Sequence, residues 1–235
     1  MVDPADRQYL LPPGRIVRRA REWHLYDQSG RRYLDFWQAD GSAFLGHRPR
    51  GLSKTVAAEL DRGLWGPVPT AWPGRLERAL ERLARSAEVS SLTVVNGLPA
   101  AARAGGDRWL PLGPPPGVSA PGLVVPVPGV SFGSTSLIQA AYARAALLLA
   151  DYLETGEAQD RLHTAETIPV PPGWQRHGCW LIPATQPGGW GAFRREAAER
   201  GILLGPDATT PLVGPGVLSR GELTTWKGLV DDWPR

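Results

Sequence analysis

The sequence predicts an α+β fold, and three observations carry that expectation. An aromatic-rich stretch with turn residues at its centre, over about 22–37, reads as a β-hairpin. Helical apolar spacing follows over about 53–63 and 73–86 and returns over about 135–154. Between them lies a stretch of different character, residues 97–129, in which fifteen residues are Gly or Pro. No long helix fits such a stretch, because Pro lacks the backbone N–H and Gly pays the largest backbone entropy.

Composition narrows the function classes. The chain has 235 residues, 42% of them apolar, enough for one large or two small cores. A net charge of +3 is too mild to imply nucleic acid, and no run of five Lys/Arg occurs. A single cysteine, Cys179, excludes an internal disulfide and a Cys-based metal centre. No apolar run reaches the roughly 18 residues that a membrane span needs. The first fifteen residues lack the apolar core of a secretory signal. The expectation is a cytoplasmic chain with no membrane or nucleic-acid partner. Ten Trp argue against disorder despite 28 Gly and 24 Pro.

Taken in order, residues 1–20 read as an N-terminal arm broken by Pro12-Pro13-Gly14. In the hairpin, Trp23, Leu25 and Tyr26 face Tyr33, Leu34, Phe36 and Trp37 across Gln28-Ser29-Gly30. Ser53 is the predicted cap of a helix stopping at Gly63. Pro73 suits the first turn of the next helix, where Leu76, Leu80 and Leu83 fall at i, i+4 and i+7. Ser91–Val95 reads as a buried strand. Within 97–129, Leu123–Val127 is the one extended candidate, kept off a central strand by Pro126. The long helix from about Thr135 to Glu154 ends against Gly156. Gly178–Ala184 and Ile202–Leu204 read as strands, with a helix through Phe193, Ala197 and Ala198 between them. Ser219 and Glu222 have the spacing of a capping box before a last helix carrying Leu223, Trp226, Leu229 and Val230.

Single residues that invite a catalytic reading have simpler roles. His47 is expected to satisfy loop backbone groups, and His24, His163 and His177 lack metal-ligand spacing. Cys179, read as lying on a strand, is expected to be buried and apolar. Arg18, Arg19 and Arg21 form a small solvated basic patch. Ser219 and Glu222 are explained by the helix cap without invoking a hydrolase.

The succession hairpin, Asp35, aromatic, Gly-containing loop and Leu45-Gly46-His47 resembles the N-terminal part of the class III aminotransferases. These are pyridoxal-phosphate enzymes that include the glutamate-1-semialdehyde aminomutases. Gly63–Thr70 resembles that family's Gly-rich loop after the first helix, and Arg75–Arg85 the helix that follows. Leu92–Asn96 resembles the strand entering the cofactor-phosphate turn. Ser131-Phe132-Gly133-Ser134-Thr135-Ser136-Leu137 is similar to the family's Thr-Phe-Gly-Gly-Asn-Pro-Leu, followed in both by an Ala-rich helix. Ala192–Leu204 and Gly216–Trp226 resemble the late helix-strand unit and the final strand and helix. The resemblance implies the small domain of a fold-type I pyridoxal-phosphate enzyme, built from N- and C-terminal segments, with a vestigial middle. On that reading 1–20 is the arm and 21–96 the N-terminal part of the small domain. Residues 97–130 are a connector in place of the large cofactor domain, and 131–235 are the C-terminal part.

The same resemblance shows what is missing. The cofactor needs a Lys amine, a carboxylate facing its ring nitrogen and donors for its phosphate. The family's Lys lies shortly before Thr-Phe-Gly-Gly, yet this chain has only Lys54 and Lys227. The family's phosphate turn, Ser-Gly-Thr, is replaced by Asn96-Gly97-Leu98-Pro99-Ala100, losing charge-assisted bonds of about 1.5–3 kcal/mol each. Asp107 does not match the context of the ring-facing Asp. Ser131 keeps a hydroxyl at the place that contacts the partner subunit's phosphate in the family. Trp37, Phe44, Trp65 and Trp72 lie where the family lines its substrate pocket; they either shape a ligand cleft or fill surface left bare by the lost domain.

The resemblance with its losses implies no catalytic residue, no bound pyridoxal phosphate and no metal. It implies a non-catalytic remnant serving as a binding or assembly module, paired as a homodimer or with a full-length aminotransferase. Two alternatives stay open. One is a residual pyridoxal-phosphate-dependent transaminase or aminomutase that either binds the cofactor noncovalently or completes its site with a partner chain. The other is a small-metabolite-binding protein.

Overall fold

The computed structural model describes residues 11–12, 14–39, 41, 43–64, 68–88, 93–96, 110–112, 122–125, 135–184 and 188–233. They fall into two units: 1–41 with 159–235, and 42–158.

In the first unit, β1 (Val17–Arg21), β2 (His24–Asp27) and β3 (Arg32–Asp35) form an antiparallel meander. The predicted hairpin is β2–β3, closed by Gly30 at φ 85° with its amide donating to the Asp27 carbonyl at 3.0 Å. All but the last residue of β1 lie inside the segment read as an arm, residues 1–20. Its residues, Val17-Arg18-Arg19-Ala20-Arg21, show no apolar alternation because it is an exposed edge strand. The arginines keep that edge from pairing further, and the Arg19 guanidinium lies 4.2 Å from the centre of the Tyr26 ring. On the other side, β3 pairs in parallel with β9 (Ile202–Leu203), Leu34 opposite Ile202. The sheet therefore joins the two ends of the chain.

A second sheet packs β7 (Trp174–His177), β8 (Trp180–Pro183) and β10 (Leu212–Val213) in the order β10-β8-β7. Cys179 sits in the β7–β8 turn after Gly178, not on a strand as the sequence suggested. It is buried there, and burial raises its thiol pKa. The core of this unit is aromatic. Phe36 stacks on Trp226 with centroids 4.2 Å apart, and Trp174, Trp190, Phe193 and Trp233 pack edge-on and face-on around them. The Trp226 and Trp190 indoles donate to the carbonyls of Pro169 and Gly205 at 2.9 and 3.2 Å.

In the second unit, helix α1 (Leu52–Asp61) begins at Gly51, whose φ of 80° sets the N-cap. Ser53 lies inside the helix and does not cap it. Helix α2 (Trp72–Ser86) has Pro73 in its first turn and buries Leu76, Ala79, Leu83 and Ala84. Both helices pack on α3 (Ser136–Glu154), whose run of buried alanines permits close approach. The stretch read as an irregular connector contains two strands, β5 (Leu110–Leu112) and β6 (Gly122–Val125). With β4 (Thr93–Asn96) they form an antiparallel sheet in the order β4-β6-β5. β6 is central, contrary to expectation, because it ends one residue before Pro126; Pro111 is accommodated on an edge.

Three further helices complete the chain: α4 (Glu157–Glu166), α5 (Trp190–Glu199) and α6 (Arg220–Asp231). No helix among the described residues is long and apolar enough to cross a membrane.

Candidate functional site

The loop after the hairpin is fixed by a buried polar set. The Asp35 carboxylate accepts the amides of Trp37 and Gln38 at 2.9 and 2.8 Å, which holds Gln38 at φ 51°. The fully buried Gln38 side chain donates to the Val213 carbonyl at 2.9 Å and accepts from Arg161, which also donates to Gly214 at 2.6 Å. Asp35, the acidic residue of the resemblance, thus serves backbone geometry. Trp37 stands half-buried beside it.

A second cluster centres on Glu222. Ser219 and Glu222 make both bonds of the predicted capping box, and the Glu222 carboxylate also meets His24 Nε2 at 2.8 Å and Arg32 at 3.0 Å. Burial opposes charge on Glu222. The Ser219 hydroxyl and amide and the His24 ring outweigh it and hold the carboxyl below its ordinary range. A histidine with no metal-like spacing is therefore a structural partner. Among the described residues no group of three His, Cys, Asp or Glu is placed to hold a metal.

The second unit holds a groove of about 490 Å³ between α1, α2 and α3. Its floor is small and apolar: Ala79, Ala140, Ala143 and Leu147. Its walls carry five guanidinium groups, Arg75, Arg78, Arg82 and Arg85 from α2 and Arg144 from α3. Arg82 is neutralised by Asp151 at 2.8 Å and by Glu154, whose carboxylate also accepts the Ser86 hydroxyl. Arg144 is held by two bonds to the Arg50 carbonyl, at 3.0 and 3.3 Å. Among the described residues no carboxylate makes an ion pair with Arg75 or Arg78. Both are exposed.

Of the predicted pocket residues, Trp72 lines this groove. Its indole donates to the buried Glu59 at 2.7 Å, and Arg75 stands 4.7 Å over its ring. Phe44 is buried edge-on against Tyr152, with centroids 5.7 Å apart. Trp65, Ser131 and the turn after Asn96 lie outside the described residues. Lys54 and Lys227 are both exposed, on α1 and α6. The arginine stripe was not anticipated. Its signal is the spacing 75, 78, 82, 85, which puts four like charges on one helical stripe.

No family model matches the chain. An uncharacterised protein of Borreliella burgdorferi is 40% identical over 57 residues, 24% of this chain and 21% of its own length. The glutamate-1-semialdehyde 2,1-aminomutase of Clostridium acetobutylicum is 35% identical over 60 residues, 26% of this chain and 14% of its own. The matched stretch thus spans about a fifth or less of these curated relatives. Among solved structures, ornithine aminotransferase from Plasmodium yoelii superposes with a TM-score of 0.60 at 10% identity, over 96% of this chain and 94% of that one. A glutamate-1-semialdehyde aminomutase from Pseudomonas aeruginosa gives 0.55 at 13% identity, over 95% and 88%. The chain has the fold of these aminotransferases.

Proposed function

We propose that this chain is a degenerate, non-catalytic protein on the fold-type I aminotransferase fold, acting as a binding or assembly module. The observation that carries this is the placement of its two lysines. Both amines stand in solvent on helix surfaces, Lys54 on α1 and Lys227 on α6. Covalent pyridoxal-phosphate chemistry needs one amine held in a pocket. The residues present do not fit a covalently held cofactor, and the sequence after Asn96 lacks the hydroxyls of the family's phosphate turn. On this reading the chain pairs with itself or with a full-length aminotransferase, as the enzymes it resembles build their sites at a subunit interface.

Equimolar pyridoxal phosphate is expected to give no stoichiometric visible band and no borohydride-trapped adduct. Light scattering is expected to show a dimer, or a complex when a full-length aminotransferase is coexpressed. A one-to-one band abolished by Lys54→Ala or Lys227→Ala, together with transamination, overturns the non-catalytic reading. A second reading, small-metabolite binding, is favoured by one observation, the arginine-walled groove of the second unit.

A further inference from the structure

The groove between α1, α2 and α3 combines features that an ordinary charged helix surface lacks. On α2 the arginines at 75, 78, 82 and 85 occupy one stripe, bordering the buried face of Leu76, Ala79 and Leu83. Like charges at i,i+3 and i,i+4 repel, and each such pair destabilises a helix by about 0.2–0.5 kcal/mol. Glu81 lies three residues after Arg78 and four before Arg85, and it makes no ion pair with either among the described residues. The compensating carboxylates that are present, Asp151 and Glu154, both pair with Arg82 at one end of the stripe. The other end, Arg75, Arg78 and Arg144, faces the groove with no carboxylate paired to it among the described residues. Beneath these guanidiniums Ala79, Ala140 and Ala143 make a smooth apolar floor, with the Trp72 indole at one side.

The volume of about 490 Å³ lies in the range of small-molecule pockets. A charged wall and an apolar floor require a ligand with an anionic end and an apolar body. Guanidinium forks match tetrahedral oxyanions in bidentate fashion. The alanine floor lets a flat ring approach the α3 backbone closely.

We propose that this groove is a binding site for a small organic phosphate with a planar apolar body, its phosphate held by Arg75, Arg78 and Arg144 and its body resting on the alanine floor. The proposal deepens the metabolite-binding reading and rests on it.

Calorimetric titration of the full chain tests it, with adenosine 5′-diphosphate as the probe and adenosine, pyrophosphate and a polyglutamate peptide as comparisons. The diphosphate is expected to bind about tenfold or more tightly than either adenosine or pyrophosphate, because each lacks one half of the match. Arg78→Ala and Arg75→Ala alter exposed residues and are expected to weaken it about tenfold each, whereas Arg18→Ala on β1 leaves it unchanged. Far-UV circular dichroism verifies that each variant folds. Pyrophosphate binding as tightly as the diphosphate overturns the apolar half of the proposal. Affinity indifferent to Arg75 and Arg78 overturns the placement. Polyglutamate binding without the diphosphate makes the groove a site for an acidic protein segment and overturns the assignment. A thermal-shift panel of amino acids and keto acids separates the two levels. If one of these stabilises the chain and no phosphate does, the phosphate assignment fails and metabolite binding stands. If no compound of either class binds, both fail.

Discussion

At Asp27 five donors converge on one carboxylate: the hydroxyl and amide of Ser29, the Arg31 amide, the Tyr33 hydroxyl and the Arg15 guanidinium. Led by the Ser29 hydroxyl, the bonds from Ser29, Arg31 and Tyr33 outweigh burial and lower its pKa from 3.8 to about 2. The folded value lies below the unfolded one. The stability contributed by Asp27 is therefore fully present above the unfolded pKa and is lost as pH falls from about 4 towards 2. Asp27→Asn is expected to lower Tm at neutral pH and to flatten the fall in Tm between pH 4 and pH 2, read by thermal melts across that range. Single-residue roles were unevenly legible. Gly30 reads directly as a turn residue, because its positive φ is a local requirement. Arg161 does not: a buried cation among Gln38, Trp23 and Gly214 is set by partners far away in sequence.

Elements were legible where apolar spacing or capping chemistry marks them. Helix α6 is announced by Ser219 and Glu222, and both capping bonds form. Ser219→Ala removes the acceptor of the Glu222 amide and a donor to its carboxylate, and is expected to cost about 1 kcal/mol of stability in denaturant titration. A variant as stable as the parent would show that tertiary contacts alone set the start of the helix. Other elements carry little signal of their own. β1 is charged on an exposed edge. α4 buries only Arg161 and Ala165, so it shows no apolar face. β5 and β6 lie among glycines and prolines, and the pairing of β6 with both β4 and β5 outweighs that composition. The arginine stripe on α2 makes no contiguous run of charge because its period is helical.

At the scale of the whole molecule, the first unit is spliced from both ends of the chain while the second is continuous. No local pattern announces the parallel pairing of β3 with β9. The resemblance to a known family carried the expectation that distant segments meet. Contacts between distant segments close slowly, because loop entropy is lost before they form. Seven of the ten tryptophans, including Trp226 and Trp233, belong to the spliced unit, whereas α1, α2 and α3 belong to the continuous one. In stopped-flow refolding, helical circular dichroism is expected to recover before tryptophan fluorescence. Coincident recovery would show that both units form in one step.

The parallel seam between β3 and β9 also has a meaning for the chain as it is made. The ribosome delivers β1, β2 and β3 first, and Ile202–Leu203 only after the whole intervening stretch. Throughout that interval the open flank of β3, with Leu34 and Phe36 destined for the core, has no native neighbour. An uncovered strand flank is a template for pairing with other nascent chains. The length of that wait sets how long the nascent hairpin stays open to such pairing.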